Sequence, residues 1–274
     1  MPHEAANEQG ERAQDRREAL MPYGLYLSAE GAQAQITRLE VIANNLANVD
    51  TVGFKRELAM IEARYAEETE LGQDSPGSGS INDVGGGVLV RETKTDFSPG
   101  PLKRTGVPTD MAIQGEGFFL VQKEGENFLT RAGNFLVNAQ GELVTQYGQE
   151  KYAVLTDAGT PVVINPDSGP WELTPSGSVR QAGTVQNLAV VSPASMGDLV
   201  RVGENVFRPL AQPLPVAPGK RSVAGGYLEM SGVQPTSEMI QLIEASRAAE
   251  ANMNMIQTQD EMLSGLVNRV MRSA

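Results

Sequence analysis

Leu39-Glu40-Val41-Ile42-Ala43-Asn44-Asn45-Leu46-Ala47-Asn48-Val49-Asp50-Thr51-Val52-Gly53-Phe54-Lys55 is the stretch whose reading decides how this chain is built. It begins as an apolar helical repeat and becomes, within one turn, an asparagine-rich break closed by Gly53. Traced backwards, Leu25, Ala29, Ala32, Ile36, Leu39, Ala43 and Leu46 alternate in steps of four and three. An a/d seam of this kind asks for a partner helix rather than a broad core. Asn44 and Asn45 are adjacent, so one face of the helix cannot hold both. Asparagine competes for backbone hydrogen bonds and tolerates left-handed geometry, so Asn48 and Asp50-Thr51 are expected to stop the helix. Two readings of the asparagines stand side by side. One is a C-cap and its turn; the other is a set of amides that bond to neighbouring subunits of an assembly.

The far end of the chain carries a second seam. Ser237 is expected as an N-cap with Glu238 in the first turn. Leu242, Ala249, Ile256, Leu263 and Val270 then repeat every seven residues. Met239, Ala245, Met253, Leu266 and Val267 fill much of the second seam position. A helix of this length spans on the order of 50 Å, too long to fold back onto one small β domain. Its methionines read as seam filler in preference to a promiscuous binding groove.

The amino-terminal motif resembles a known family. Ala43 to Asn48, followed by Thr51-Val52-Gly53-Phe54-Lys55, is similar to the signature of the bacterial flagellar rod and hook proteins, and the similarity continues upstream through Ser28-Ala29-Glu30-Gly31 and Arg38 to Ile42. The middle of the chain resembles the same family at Thr95-Asp96-Phe97-Ser98-Pro99-Gly100-Pro101-Leu102, Gly115-Glu116-Gly117-Phe118-Phe119 and Thr130-Arg131-Ala132-Gly133-Asn134-Phe135. So does the carboxy-terminal part, at Gly226-Tyr227-Leu228-Glu229, Arg247 to Asn252 and Ile256 to Leu263. The chain departs from the family pattern at Gly232 and at Ala249, where the resemblance would place asparagine and tyrosine. The resemblance implies a structural subunit of the flagellar axial tube and no enzyme. The residues alone give a seam-forming helix and a turn.

Between the two seams lies a different kind of sequence. Arg56 to Leu71 is charged and helix-friendly, and Gly72 to Gly87 reads as a linker, with Ser75-Pro76-Gly77-Ser78-Gly79-Ser80 and then a glycine triplet. No Gly-Lys-Ser/Thr follows the triplet, which argues against a phosphate loop. From Val88 the pattern changes to period two. Short strands are expected around Met111 to Val121, Phe128, Phe135 to Val137, Leu143 to Thr145, Val154, Val162 to Ile164, Leu188 to Val191 and Val206-Phe207, with turns at Asn138 to Gly141 and Asp157 to Gly159. Phe118, Phe119 and Phe135 read as core anchors. Strands repeated at this spacing point to an all-β sandwich or partly closed barrel.

Composition bounds what the chain can do. At 274 residues it can bury a substantial core. A formal charge of -12 argues against nucleic acid, whose phosphates such a surface repels. No apolar run approaches the ~20 residues that cross a bilayer as a helix, and residues 1–20 lack the apolar segment of a secretory signal. The chain has no cysteine, and its single histidine, His3, sits in that polar leader. Histidine triads, thiolate chemistry and the usual zinc sites are therefore not expected. No catalytic, cofactor or metal residues are assigned. Paired carboxylates remain available for glycoside chemistry, and Trp171 could serve as a sugar platform, although a packing role suits it better.

The expected architecture is mixed α and β: long N- and C-terminal helices in a coiled-coil-like pair, an inserted all-β domain, and extended linkers. Its parts are a disordered or extended tail at 1–20 (with Met21 as the expected biological start and a genuine amino-terminal extension as the competing reading), an N-terminal helix at 21–55, a linker at 56–87, the β domain at 88–227, and an arm and long helix at 228–274. The assembly interface is assigned to Leu25, Ile36, Leu39, Ala43, Asn44, Asn45, Leu46, Asn48, Leu242, Ala249, Ile256, Leu263 and Val270. The resemblance further implies partners: copies of the chain, other rod and hook subunits, and the flagellar type III export apparatus. It implies a place in the periplasmic rod of the basal body, reached without a cleaved signal and without membrane insertion. The proximal rod subunit is favoured, the distal rod subunit comes second and a hook subunit third. An extracellular glycan-binding or glycan-cleaving module is the alternative from another class.

Overall fold

The seam-bearing stretch forms α1 (Pro2–Ala47), and the chain leaves the helix where the asparagines predict. The Thr51 N–H donates to the Asn48 carbonyl (3.2 Å) and the Thr51 hydroxyl donates to Asn48 Oδ1 (3.2 Å), closing the turn. Residues 1–20 were expected as a disordered or extended tail, but α1 is helical from Pro2 onward. Their alanine, glutamate, glutamine and arginine are strong helix formers, and a helix already nucleated downstream extends through them at little cost. The computed structural model describes the backbone of residues 2–65, 69, 71–73, 75, 77, 85–146 and 151–273, with side chains from Gly24 onward except Pro218 and Ser273. Most of the Ser75 to Ser80 linker motif lies outside the described residues.

The expected linker contains a strand. Glu57–Arg64 is β1 and pairs with β2 (Gly87–Thr95) in a two-stranded sheet. The Gly86 N–H donates to the Arg64 carbonyl at 2.8 Å, and Arg91 Nη1 reaches both Glu62 oxygens at 3.0 and 3.1 Å, so the strands run antiparallel. Eight residues of helix-friendly composition are too few to hold a helix unaided, and the partner strand supplies the backbone with its hydrogen bonds instead.

The last element, α2, runs Pro235–Ser273, roughly 58 Å at 1.5 Å per residue. It starts two residues before the expected cap at Ser237. Proline is well placed there, because the first helical N–H has no intrahelical acceptor to lose.

The chain divides into two compact units. A helical unit holds Met1–Leu46, Glu57–Lys94 and Pro235–Ala274; a β unit holds Ala47–Arg56 and Thr95–Gln234. This division differs from the expected 88–227 domain at both ends. The β2 strand goes with the helices, while Ala47–Arg56 and the residues up to Gln234 go with the β unit.

Inside the helical unit, α1 and α2 approach closely at two glycines. A Cβ placed on Gly24 would lie 3.1 Å from Gln259 Nε2, and one on Gly31 would lie 3.1 Å from Asn252 Nδ2. Seven residues forward on α1 match seven backward on α2, so the helices run antiparallel. The buried Asn45 and the buried Ala245 and Glu238 continue the same two lines at multiples of seven.

The β unit comprises β3 (Leu102–Arg104), β4 (Met111–Ile113), β5 (Phe118–Lys123), β6 (Glu126–Thr130), β7 (Phe135–Val137), β8 (Leu143–Thr145), β9 (Ala153–Val154), β10 (Trp171–Leu173), β11 (Ser178–Gln181), β12 (Thr184–Asn187), β13 (Val190–Ser192), β14 (Leu199–Gly203), β15 (Val206–Pro209), β16 (Leu214–Pro215), β17 (Val223–Gly225) and β18 (Tyr227–Glu229). Nine strands form one open sheet in the order β14-β15-β6-β5-β9-β8-β7, with β13 on β5 and β16 on β13, and it does not close into a barrel. β10, β11 and β12 make a separate meander, β4 pairs with β17, and β3 pairs with β18. The alternation of β5 serves two cores. Phe119 and Val121 enter the main one with Met111, Phe135, Leu143 and Leu188, and Phe118 enters the other with Leu129, Val191 and Phe207. Phe97, Phe118 and Phe207 meet edge to face at 5.3–6.2 Å between centroids. The three anchoring phenylalanines are thus in the cores, as their sequence predicts.

Candidate assembly surface and buried charge node

The face on which the helices meet combines the heptad seam with smaller and amide-bearing residues. The face on which α1 meets α2 carries glycines and amides (Gly24, Gly31, Asn252, Gln259) together with buried alanines at Ala34, Ala245 and Ala249. Small residues let the two backbones approach, and the amides of Asn252 and Gln259 pack against them. Of the assigned seam residues, Leu25, Ile36, Leu39 and Leu46 on α1 and Leu242, Ile256 and Leu263 on α2 are half-buried, and Ala249 is buried. Ala43, Asn44 and Val270 are exposed, Asn48 is half-buried in its turn, and Asn45 is buried.

Large apolar residues are left uncovered along α2. Met239, Ile240, Ile243, Met253, Met255, Met262, Leu266, Val267, Val270 and Met271 are each 44–75% exposed. Sequence reading named some of these but missed Ile240 and Ile243. It left open whether the seam is buried within a subunit or between subunits, and the heptad-spaced pair Gly24 and Gly31 marks where α1 meets α2. Apolar exposure on this scale along one helix exceeds the scattered single residues expected on a surface.

Asn45 is committed inside the subunit. Its Nδ2 donates to the Glu57 carbonyl (2.8 Å) and its Oδ1 accepts from the Glu57 N–H (2.9 Å), fixing the start of β1. Asn45 and Asn48 thus both make local bonds within the subunit, Asn45 to the Glu57 backbone and Asn48 to Thr51. A buried amide must satisfy both its donor and its acceptor, and Glu57 does this at short range.

The rest of the signature, Val52 to Lys55, is inserted into the β unit. Phe54 is 1% exposed, with the Arg201 guanidinium 4.5 Å above its ring. Asn205 Nδ2 donates to the Val52 carbonyl at 2.9 Å, and the Gly53 N–H donates to the Glu229 carbonyl at 2.8 Å. Gly53 has a left-handed φ of 67°, and a Cβ there would run into the Ala132 N and the Arg131 carbonyl carbon. Only glycine fits both demands.

Lys55, Glu229 and Arg131 complete a buried ion cluster, at 3%, 1% and 4% exposure. Glu229 Oε1 accepts from Lys55 Nζ (2.6 Å) and from the Gly100 N–H (3.0 Å), and Oε2 accepts from Arg131 Nη1 (3.2 Å). Lys55 also donates to the Ser98 carbonyl (2.8 Å), and Arg131 to the Gly115 carbonyl (2.7 Å) while its guanidinium stacks 5.2 Å over Phe118. Burial pulls the Lys55 amine below the ordinary lysine range, opposed by the Glu229 charge; the same desolvation lowers Arg131. Two cations share one carboxylate, and backbone carbonyls absorb the remainder. Sequence reading singled out these three only as family-like residues and assigned them no role, since partners 174 positions apart leave no local signal.

Trp171 is half-buried and packs against the main core, so its sugar-platform role gives way to packing. Among the described residues no group of three metal-ligating side chains and no helix apolar enough to cross a membrane is present.

Three family models match the chain: a flagellar basal-body rod model over residues 25–55, the D1 domain of the flagellar hook protein FlgE/F/G over 112–186, and the C-terminal region of the flagellar basal-body rod FlgEFG proteins over 224–269. The first and third cover the signature stretch and the α2 seam. Among curated relatives, the rod protein FlgF of Caulobacter vibrioides is 32% identical over 91% of this chain and 98% of its own length. The rod protein FlgG of the same organism is 34% identical over 87% and 96%, and FlgG of Bacillus subtilis is 32% identical over 89% and 97%.

Proposed function

Because the chain belongs to the flagellar basal-body rod protein family and is a structural subunit of that rod, we propose that α1 and α2 form a coiled-coil-like pair whose exposed apolar row is its polymerisation surface. The observation that carries this is the set of ten exposed apolar side chains between Met239 and Met271. A subunit that stayed alone would gain nothing from ten such side chains in water; a neighbour that covers them removes apolar surface at about 25 cal/mol per Å². The occupants are copies of the chain and other axial subunits. The assigned residues Leu25, Ile36, Leu39, Ala43, Asn44, Leu46, Leu242, Ile256, Leu263 and Val270 flank or join that surface, while Asn45, Asn48 and Ala249 act within the subunit.

The test uses a residue that is exposed in the subunit and needed in the assembly. Ile243 is 51% exposed, so Ile243→Asp costs the isolated subunit little. In an interface, the unpaired charge costs several kcal/mol. The β unit of the variant is expected to melt with the wild-type midpoint while rod assembly and motility are lost. Normal rods built from Ile243→Asp subunits would remove α2 as the polymerising element.

The proposed route is export by the flagellar type III apparatus without a cleaved signal, with assembly in the periplasm. Within the rod we assign the proximal segment. Immunogold labelling of purified basal bodies separates this from the distal rod, because label confined to the distal segment overturns the assignment.

A further inference from the structure

We propose that Glu229 is a closing latch: the β unit acquires its stable fold only when the chain is available as far as Met230. The basis is the order in which its parts occur along the sequence. β4 is a core strand whose three residues are all buried, and the strand it pairs with is β17, more than a hundred positions later. β3 is held in the same way by β18. The carboxylate at the end of β18 then ties together segments from three earlier places: Lys55, Gly100 and Arg131. The backbone there is equally committed, with Glu229 accepting from the Gly53 N–H and the Met230 N–H donating to the Pro101 carbonyl at 2.9 Å.

A chain that lacks residues 226–230 is left with two cations to bury and without the one carboxylate that both bond. An unpaired buried charge is among the most unfavourable arrangements a core can hold. Closure over so long a span also comes late, since the loop entropy must be met before its contacts form. The unit therefore remains open while its last strands are held elsewhere. For a chain delivered N-terminus first, this keeps nearly the whole β unit unfolded until only α2 remains to follow. That consequence rests on the export route proposed above; the latch itself does not.

Native-state hydrogen exchange on the full wild-type chain tests the latch without disturbing it. The reporters at the latch are the amides of Gly53, Gly100 and Met230; those in the sheet are Leu120, bonded to the Ala189 carbonyl, and Leu155, bonded to the Leu120 carbonyl. As denaturant is raised within the native baseline, all five are expected to merge into one opening reaction. In full-length Glu229→Gln, the protection of all five is expected to fall together by at least about a hundredfold, the scale of breaking one buried ion pair. If the latch amides open a hundredfold more readily than Leu120 and Leu155, the sheet keeps its fold with the latch undone and the proposal fails. It also fails if Glu229→Gln lowers protection at the latch alone. Neither result bears on export, which secretion of the chain through the flagellar apparatus reads separately.

Discussion

Full-length Glu229→Gln is expected to lose about 3–5 kcal/mol of β-unit stability. The substitution keeps the volume of the side chain and removes its charge, leaving Lys55 and Arg131 facing each other at a buried site. Two like charges that have lost the carboxylate they share are worse than either alone, so the loss should fall in the upper part of that range. Lys55→Met is the informative contrast. It leaves the Arg131–Glu229 pair at one cation to one carboxylate, and methionine replaces most of the buried lysine stem with apolar surface. Replacing a buried ion by a packed apolar group is often close to neutral, so Lys55→Met is expected to cost well under half of what Glu229→Gln costs. Urea titrations followed by Trp171 fluorescence give both values from the same probe. Equal losses in the two variants would mean that the cluster acts as a packing unit and that its charge balance is immaterial.

Gly53→Ala is the second large effect, and Gly106 supplies its control. Both glycines have left-handed φ values, 67° and 73°. An alanine at Gly106 would meet no atom within 4 Å, so its cost is the conformational one, about 1–2 kcal/mol. An alanine at Gly53 adds a collision with the Ala132 backbone nitrogen and the Arg131 carbonyl carbon. Backbone cannot rotate away as a side-chain tip can, so the Val52–Lys55 segment must lift. Lifting it separates Lys55 from Glu229 and exposes Phe54. Gly53→Ala should therefore lower the urea midpoint at least twice as far as Gly106→Ala, and the difference between them measures the insertion of the signature segment. Similar midpoints for the two variants would show that the segment can shift without loss.

The two variants probe different features of one motif, and together they give the family-like residues a physical meaning. Gly53 is required by backbone proximity, Lys55 by charge, and Phe54 by burial. Glu229 and Arg131, from two other family-like runs, are their partners. Residues that resemble the family at separate places in the sequence thus meet at one point of the β unit.

Several features were legible in the sequence because their cause is local. The step of three and four that runs from Leu25 to Leu46 fixes a helix, and the heptads from Leu242 to Val270 fix another. The period-two pattern with its turn residues gives β5 to β9 and the core phenylalanines. The break at Asn48 is a local competition for backbone hydrogen bonds, and it is resolved at Thr51 as expected. Where the local preference was weak, the reading failed. Glu57–Arg64 has a helix-former's composition and becomes a strand, because β2 offers what eight residues cannot supply for themselves. The short polar strands β10 to β12 have no apolar alternation strong enough to announce them.

What the sequence by itself determined is therefore the kind of each long element and the presence of two apolar seams. Tertiary structure alone decided what the seams face. A heptad column states that a helix face is apolar, but only the folded chain shows that Gln259 and Asn252 of α2 come up against Gly24 and Gly31 of α1. Ten of the larger apolar side chains of α2 stay 44–75% exposed in the subunit. Tertiary structure also decided that Lys55, Arg131 and Glu229 would be charged and buried at once. Desolvation and pairing depend on groups brought together from positions far apart in the sequence, so the energy that holds this cluster is a property of the folded chain and of no segment within it.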